Sequence, residues 1–168
     1  MATHFGIGFS DHSDTQVAAR DAAFIAKTNL AQDTIHLTFV LSTIHYDPQT
    51  TLSVINRVVN NSRVIGSSTA GIILSEGIHA RGIAVLTISS DDMIFGTGCI
   101  DNIHKLDSHD FGVEFAKNCL TDYSQQKRSA FMFFIDSQVD DPSGFLKGVQ
   151  NMLGNVFPIV GCCSSDNF

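Results

Sequence analysis

The sequence predicts an α/β fold of duplicated βαβ units that form a largely parallel sheet, with one antiparallel hairpin and helices packed on the sheet. Three observations predict it. Apolar, β-rich runs alternate with helix-periodic segments along the whole chain. Two of these segments share one plan: strand, Asp-Pro, helix, strand, glycine. A Glu-Gly pair between two β-rich runs marks a hairpin.

The elements follow in order. Residues 4–10, HFGIGFS, alternate Phe5, Ile7 and Phe9, the period of a strand. Asp14 then caps a helix through about Leu30, with Val17, Ala18, Ala22, Ile25 and Ala26 near helical spacing. Its alanines allow close packing on a sheet. Residues 35–42, IHLTFVLS, read as a strand buried on both faces. Asp47-Pro48 starts a second helix, Asp as N-cap and Pro in the first turn, with Leu52, Ile55 and Val59 as its buried stripe. RVIGS, from Arg63, is a short strand, and Glu76-Gly77 turns a hairpin between the β-type runs of residues 71–89. Residues 93–100, MIFGTGCI, are a further strand candidate, loosened by Gly96 and Gly98. A helix with Phe111, Phe115, Cys119 and Leu120 along one face comes next. The strand AFMFFID, the helix DPSGFLKGVQNML and the strand FPIVG complete the set.

The chain of 168 residues is long enough for one domain with a sizeable core, and at 43% hydrophobic and 16% charged it is globular. Net charge is −7, with no basic stripe, which argues against nucleic acid and against anionic membranes as partners. No apolar run approaches a membrane span, and the N-terminus lacks the pattern of a signal peptide, so the expected compartment is the cytoplasm. The four cysteines, Cys99, Cys119, Cys162 and Cys163, form no Cys-x-x-Cys pair.

The repeat is internal, about residues 36–71 against 130–167, within a single domain spanning 1–168. Asp47-Pro48 matches Asp141-Pro142 at an offset of 94; Gly66 matches Gly161 at 95. After the first unit the chain continues into a hairpin; after the second it stops. That pattern predicts a piece of a longer polypeptide.

Both units end in small residues. Gly66, Ser67, Ser68, Thr69, Ala70 and Gly71 follow the first. Cys162, Cys163, Ser164, Ser165 and Asp166 follow the second, and Asp136 closes its first strand. Glycine permits close approach of a ligand, and successive backbone N–H groups can cradle an anion. Such junctions lie where open α/β sheets hold ligands. The expectation is a small-molecule site built on these two loops, although a tight turn alone also selects glycine and serine. No nucleotide-binding glycine motif is present.

GIGFSDHSDTQVAARDAA, RVIGSSTAG, GIAVLTIS and PIVGCCSSDN, in this order, resemble the N-terminal region of FIST domains. The resemblance implies an intracellular sensory domain that binds a small, amino-acid-like molecule. It implies relay to an output protein such as a histidine kinase or a diguanylate cyclase, and a further C-terminal FIST region. It also allows haem as a cofactor in a nitric-oxide sensor. The sequence departs from the family's usual loop, with Ser67 in place of a cysteine and Ile72 in place of an acidic residue.

Two other classes compete. Cys162 or Cys163 would be the nucleophile of a cysteine-dependent hydrolase or transferase, which needs a base, with His45 the nearest candidate by repeat position. A protein-interaction scaffold would bind no small ligand and expose an apolar patch. The seven histidines are His4, His12, His36, His45, His79, His104 and His109. Only DNIHKLDSHD groups two of them with carboxylates, and it reads as a solvated lead into a helix.

Overall fold

The computed structural model describes residues 2–60, 62–101, 107–123 and 129–165. His104 and Asp166 lie outside them. The described residues form two compact units, one running through Ile94 and including Ser165, the other Phe95–Ser164. The α/β class holds, with four helices and eight strands among the described residues.

The first unit begins with β1 (Thr3–Ser10) and α1 (Thr15–Leu30). Asp14 caps α1 by accepting from the Val17 N–H (2.9 Å). Then come β2 (Leu37–Thr43), α2 (Pro48–Val58) and β3 (Arg63–Thr69). Asp47 accepts from the Thr50 N–H (2.7 Å), and Pro48 fills the first turn, where its missing N–H has no partner to lose. The hairpin strands β4 (Ile72–Leu74) and β5 (Gly77–His79) pair antiparallel around Ser75-Glu76. The β-type run after the hairpin is divided: β6 (Ile83–Ser90) is a separate strand that leaves the hairpin and enters the main sheet.

That sheet has the order β1-β6-β2-β3. It is mixed: β2 and β3 run parallel through the α2 crossover, and β6 lies antiparallel to both β1 and β2. One face packs on helices. Gly6 and Gly8 of β1 meet the backbone of α1 so closely that a Cβ on either would strike a carbonyl, of Ala26 or Ala22. The buried face of α1 is therefore Ala18, Ala19, Ala22, Ala23, Ala26 and Leu30. Buried Thr87 donates to the carbonyl of either Gly6 (3.2 Å) or Ala26 (3.1 Å), so its hydroxyl is satisfied inside this layer. Of the expected stripes, Ala18, Ala22, Ala26, Ile55 and Val59 are buried; Ile25 and Leu52 are exposed, and Ala19, Ala23 and Thr51 turn inward instead. On α1 the larger Ile25 is turned out because a helix that lies this close to a sheet has room only for small residues at its contact line. By register, Phe5, Ile7 and Phe9 share the other face with Leu86, Phe39 and Leu41.

The second unit contains α3 (Ser108–Thr121), β7 (Phe131–Ile135), α4 (Pro142–Leu153) and β8 (Ile159–Cys163). β7 and β8 pair in parallel through α4. Its core is aromatic: Phe145, Phe111, Phe115 and Phe133 meet ring to ring at 5.3–5.7 Å. The α3 and α4 backbones touch at Gly112 and Gly148. The strand expected at 93–100 is absent; the segment is irregular. Gly96 packs on Tyr123 and Gly98 on Asn118 and Cys119, and the Thr97 N–H donates to the Asp122 carboxylate (2.8 Å). Its glycines serve close approach to a helix rather than a ladder.

Candidate functional site

The first small-residue stretch is mostly strand. Gly66 to Thr69 continue β3, with Gly66 opposite Val40 and Thr69 opposite Thr43. A Cβ at Gly66 would strike the Val40 carbonyl, so glycine is required for the strands to close. The turn itself is Ala70-Gly71. Thr69 closes it by donating its hydroxyl to the Gly71 carbonyl (2.8 Å), and the Ser67 hydroxyl donates to the Ser68 carbonyl (3.0 Å). These hydroxyls thus serve their own backbone. β3 is last in its sheet, so alternate backbone groups point away from β2. One of them, the Ser68 carbonyl, accepts from the Ser165 N–H (3.3 Å).

The second stretch behaves alike. Cys162 and Cys163 end β8 opposite Phe134 and Ile135, and both are exposed. Neighbours on a strand face opposite sides, so the two thiols diverge. Among the described residues no histidine hydrogen-bonds to either; His45 Nδ1 contacts the Thr43 hydroxyl (3.1 Å). The Ser164 N–H donates to the Ile135 carbonyl (2.7 Å). Asp136 is exposed and shapes a turn: its carboxylate accepts from the Gln138 N–H (2.9 Å).

The richest polar convergence is one that sequence reasoning missed. At one end of the four-stranded sheet, Ser10 lies opposite Ile83, Ser42 opposite Ile83, and Thr43 opposite Thr69. The loops after β1, β2 and β3 and before β6 therefore gather there, with the N-termini of α1 and α2. Arg81 binds them together. Its Nε donates to the Tyr46 hydroxyl (3.3 Å), its Nη2 donates to the Ser13 carbonyl (2.9 Å), and the guanidinium lies over the Tyr46 ring at 5.3 Å. Tyr46 is 3% exposed and donates to the His12 carbonyl (3.0 Å). His12 in turn accepts from the Asp14 N–H at Nδ1 (3.0 Å). Thr43 accepts from the Gly82 N–H (3.2 Å). His79 stacks on Phe9 at 4.4 Å, and its Nε2 is buried without a hydrogen-bond partner among the described residues. Gly71 sits against the His79 carbonyl.

Arg81 is the cation at this sheet end. Among the described residues it has no carboxylate partner, in a chain of net charge −7. Its hydrogen-bond partners are neutral, and the two helix N-termini at the same end are each capped by a carboxylate, Asp14 and Asp47. Asp47, at the start of α2, is held below the usual carboxylate range by hydrogen bonds from the Thr50 side chain and amide. The only sequence signal for this cluster was an Arg-Gly pair immediately before a strand, which many surface turns share.

Elsewhere the surface offers less. A furrow of about 310 Å³ between α1 and α2 is lined by Gln16, Gln49, Thr50, Ser53, Val54 and Arg57. It opens widely to water and holds none of the expected site residues. Asp107, His109 and Asp110 bring ligand atoms within 4.8 Å of one another. Their groups already serve α3: Asp107 accepts from the Asp110 N–H (3.0 Å), and His109 bonds to Asp110 (3.3 Å) and Asn151 (2.8 Å). Among the described residues, no helix is long and apolar enough to cross a membrane.

No curated protein matches the chain by sequence. The family model of the FIST N domain matches residues 36–168, from just before β2 to the last residue. The family is sensory rather than catalytic, and its members are signal transduction proteins. With that much of its length matched, the chain belongs to the FIST N domain family.

Proposed function

We propose that this chain is a sensor that binds a small molecule at the sheet end around Arg81. Its occupancy is relayed to an output protein such as a histidine kinase or a diguanylate cyclase. The observation that carries the reading is Arg81: a cation with neutral partners only, where four loops and two helix N-termini meet. A ligand carrying negative charge would complete its coordination. Thr69, Ala70 and Gly71 at the end of β3 are small, and Gly71 lies against the carbonyl of His79, two residues before Arg81. Relay follows if the ligand prefers one of two loop arrangements, since only differential affinity shifts such an equilibrium.

The test is a thermal-shift screen against amino acids, small carboxylates, phosphates and haem. A ligand at 100 times its Kd should stabilise the folded state by about 2.7 kcal/mol. Arg81→Gln and Ala70→Trp should remove a saturable shift, while Arg57→Gln, in the furrow, should leave it intact. A shift that survives Arg81→Gln and Ala70→Trp would move the site away from this sheet end. No shift with any class would defeat the small-molecule reading.

A further inference from the structure

Cys99 and Cys119 belong to the second unit and play no part in the proposed ligand site. The irregular segment that carries Cys99 runs along α3. Its neighbour Gly98 touches Cys119 directly: a Cβ there would lie 2.7 Å from the Cys119 Sγ and 2.8 Å from its Cα. The same segment is fastened one turn further on by the Thr97–Asp122 hydrogen bond (2.8 Å). The two cysteines are thus one residue out of direct backbone contact: one ~3.8 Å chain step from Gly98 puts the Cys99 Cα within about 8 Å of the Cys119 Cα, from which a small shift of the irregular segment reaches disulfide spacing. One thiol is accessible and the other shielded: Cys99 is exposed, Cys119 half-buried.

We propose that Cys99 and Cys119 form an intramolecular disulfide on exposure to a peroxide, a modification that locks residues 95–101 onto α3. The Cys99 thiolate attacks the peroxide oxygen. The O–O bond breaks, an S–O bond forms, and one water leaves. The Cys119 thiolate then attacks the sulfenic sulfur, the S–S bond forms, and the oxygen departs as a second water. Two thiols are oxidised and one peroxide is reduced to two waters. Burial, with the nearby Cys99 adding to it, pushes the Cys119 thiol up to about 11. Closure should therefore accelerate between about pH 7 and 9 as the Cys119 thiolate fraction grows.

The experiment uses the full chain with Cys162 and Cys163 changed to serine, so that only the two thiols in question remain. It is treated with hydrogen peroxide, alkylated and digested with trypsin. Cys99 and Cys119 fall in separate peptides, 82–105 and 118–127. The expected product is a monomer in which these two peptides are joined, with both thiols lost. Cys119→Ser should leave Cys99 as a sulfenic acid that dimedone traps, and Cys99→Ser should leave Cys119 largely reduced. Dimers joined through Cys99, or Cys99 over-oxidised with Cys119 still reduced, would overturn the proposal. The parental chain, treated in parallel, guards against a folding defect of the serine variants: a joined 82–105/118–127 pair must appear there too.

Discussion

The two strand–helix–strand units, β2-α2-β3 and β7-α4-β8, follow one plan and are packed by opposite means. The first closes inside a four-stranded sheet whose glycines and Thr87 meet an alanine-faced helix, so backbone approaches backbone. The second closes as a two-stranded pair, and its core is filled by interlocking phenylalanine rings. Even the shared Asp-Pro start differs. Asp47 caps α2 with its side chain, whereas Asp141 makes no side-chain cap bond and its amide instead donates to the Ser108 hydroxyl (3.2 Å). A sequence motif thus fixes where a helix begins without fixing how its end is satisfied. What surrounds the unit decides the rest.

The sharpest way to separate the two modes is to empty one core and overfill the other. Phe145 is 2% exposed and meets three other rings, so Phe145→Ala should cost about 3–5 kcal/mol in chemical denaturation. A cost below about 1 kcal/mol would mean that the aromatic core is loose. In the first unit, adding atoms should do the damage. Ala22→Leu drives a side chain against β1 and should cost about 1–3 kcal/mol, whereas a neutral result would deny the close helix–sheet approach. The matching glycines provide a finer contrast. Gly66→Ala strikes a fixed carbonyl, while Gly161→Ala meets the far edge of the Phe133 ring, which can turn aside. The first should therefore lower Tm more than the second, and the reverse order would break the comparison. The smallest effect is at the caps. Asp47→Ala should lower Tm and Asp141→Ala should barely change it. Because the folded Asp47 pKa is depressed, its contribution is complete above about pH 4 and fades as pH falls below that. The Asp47→Ala deficit should accordingly be present at pH 7 and vanish in acid; a deficit unchanged at pH 2 would exclude charge as its source.

Much of this fold was legible. Asp14, Asp47-Pro48 and Asp141-Pro142 mark helix starts by local chemistry, and each helix begins one residue after its Asp. The β-rich runs mark most strands. Two things were not legible, for physical reasons. Residues 93–100 carry a strand's composition, but pairing is a property of a partner, and the glycines there face a helix. The Arg81 cluster draws on residues near positions 12, 46, 71 and 81, and only the antiparallel insertion of β6 brings them together. The small-residue stretches were visible as stretches, but their assignment to strand β3 and strand β8 depended on register with β2 and β7.

The insertion of β6 also sets a timetable for synthesis. β1 pairs with β6 alone, Thr3 with Ser90 and Ser10 with Ile83. As the chain leaves the ribosome, β2, α2 and β3 can close their own parallel pair from nearby residues. The first strand must wait until the sixth has emerged. During that interval Phe5, Ile7 and Phe9 sit on a strand with both edges unpaired, a template for association with another nascent chain. Early docking of α1 on Gly6 and Gly8 would not hide those side chains, because they point the other way. A chaperone that holds the first thirty or so residues should therefore raise the soluble yield more than one that acts after release.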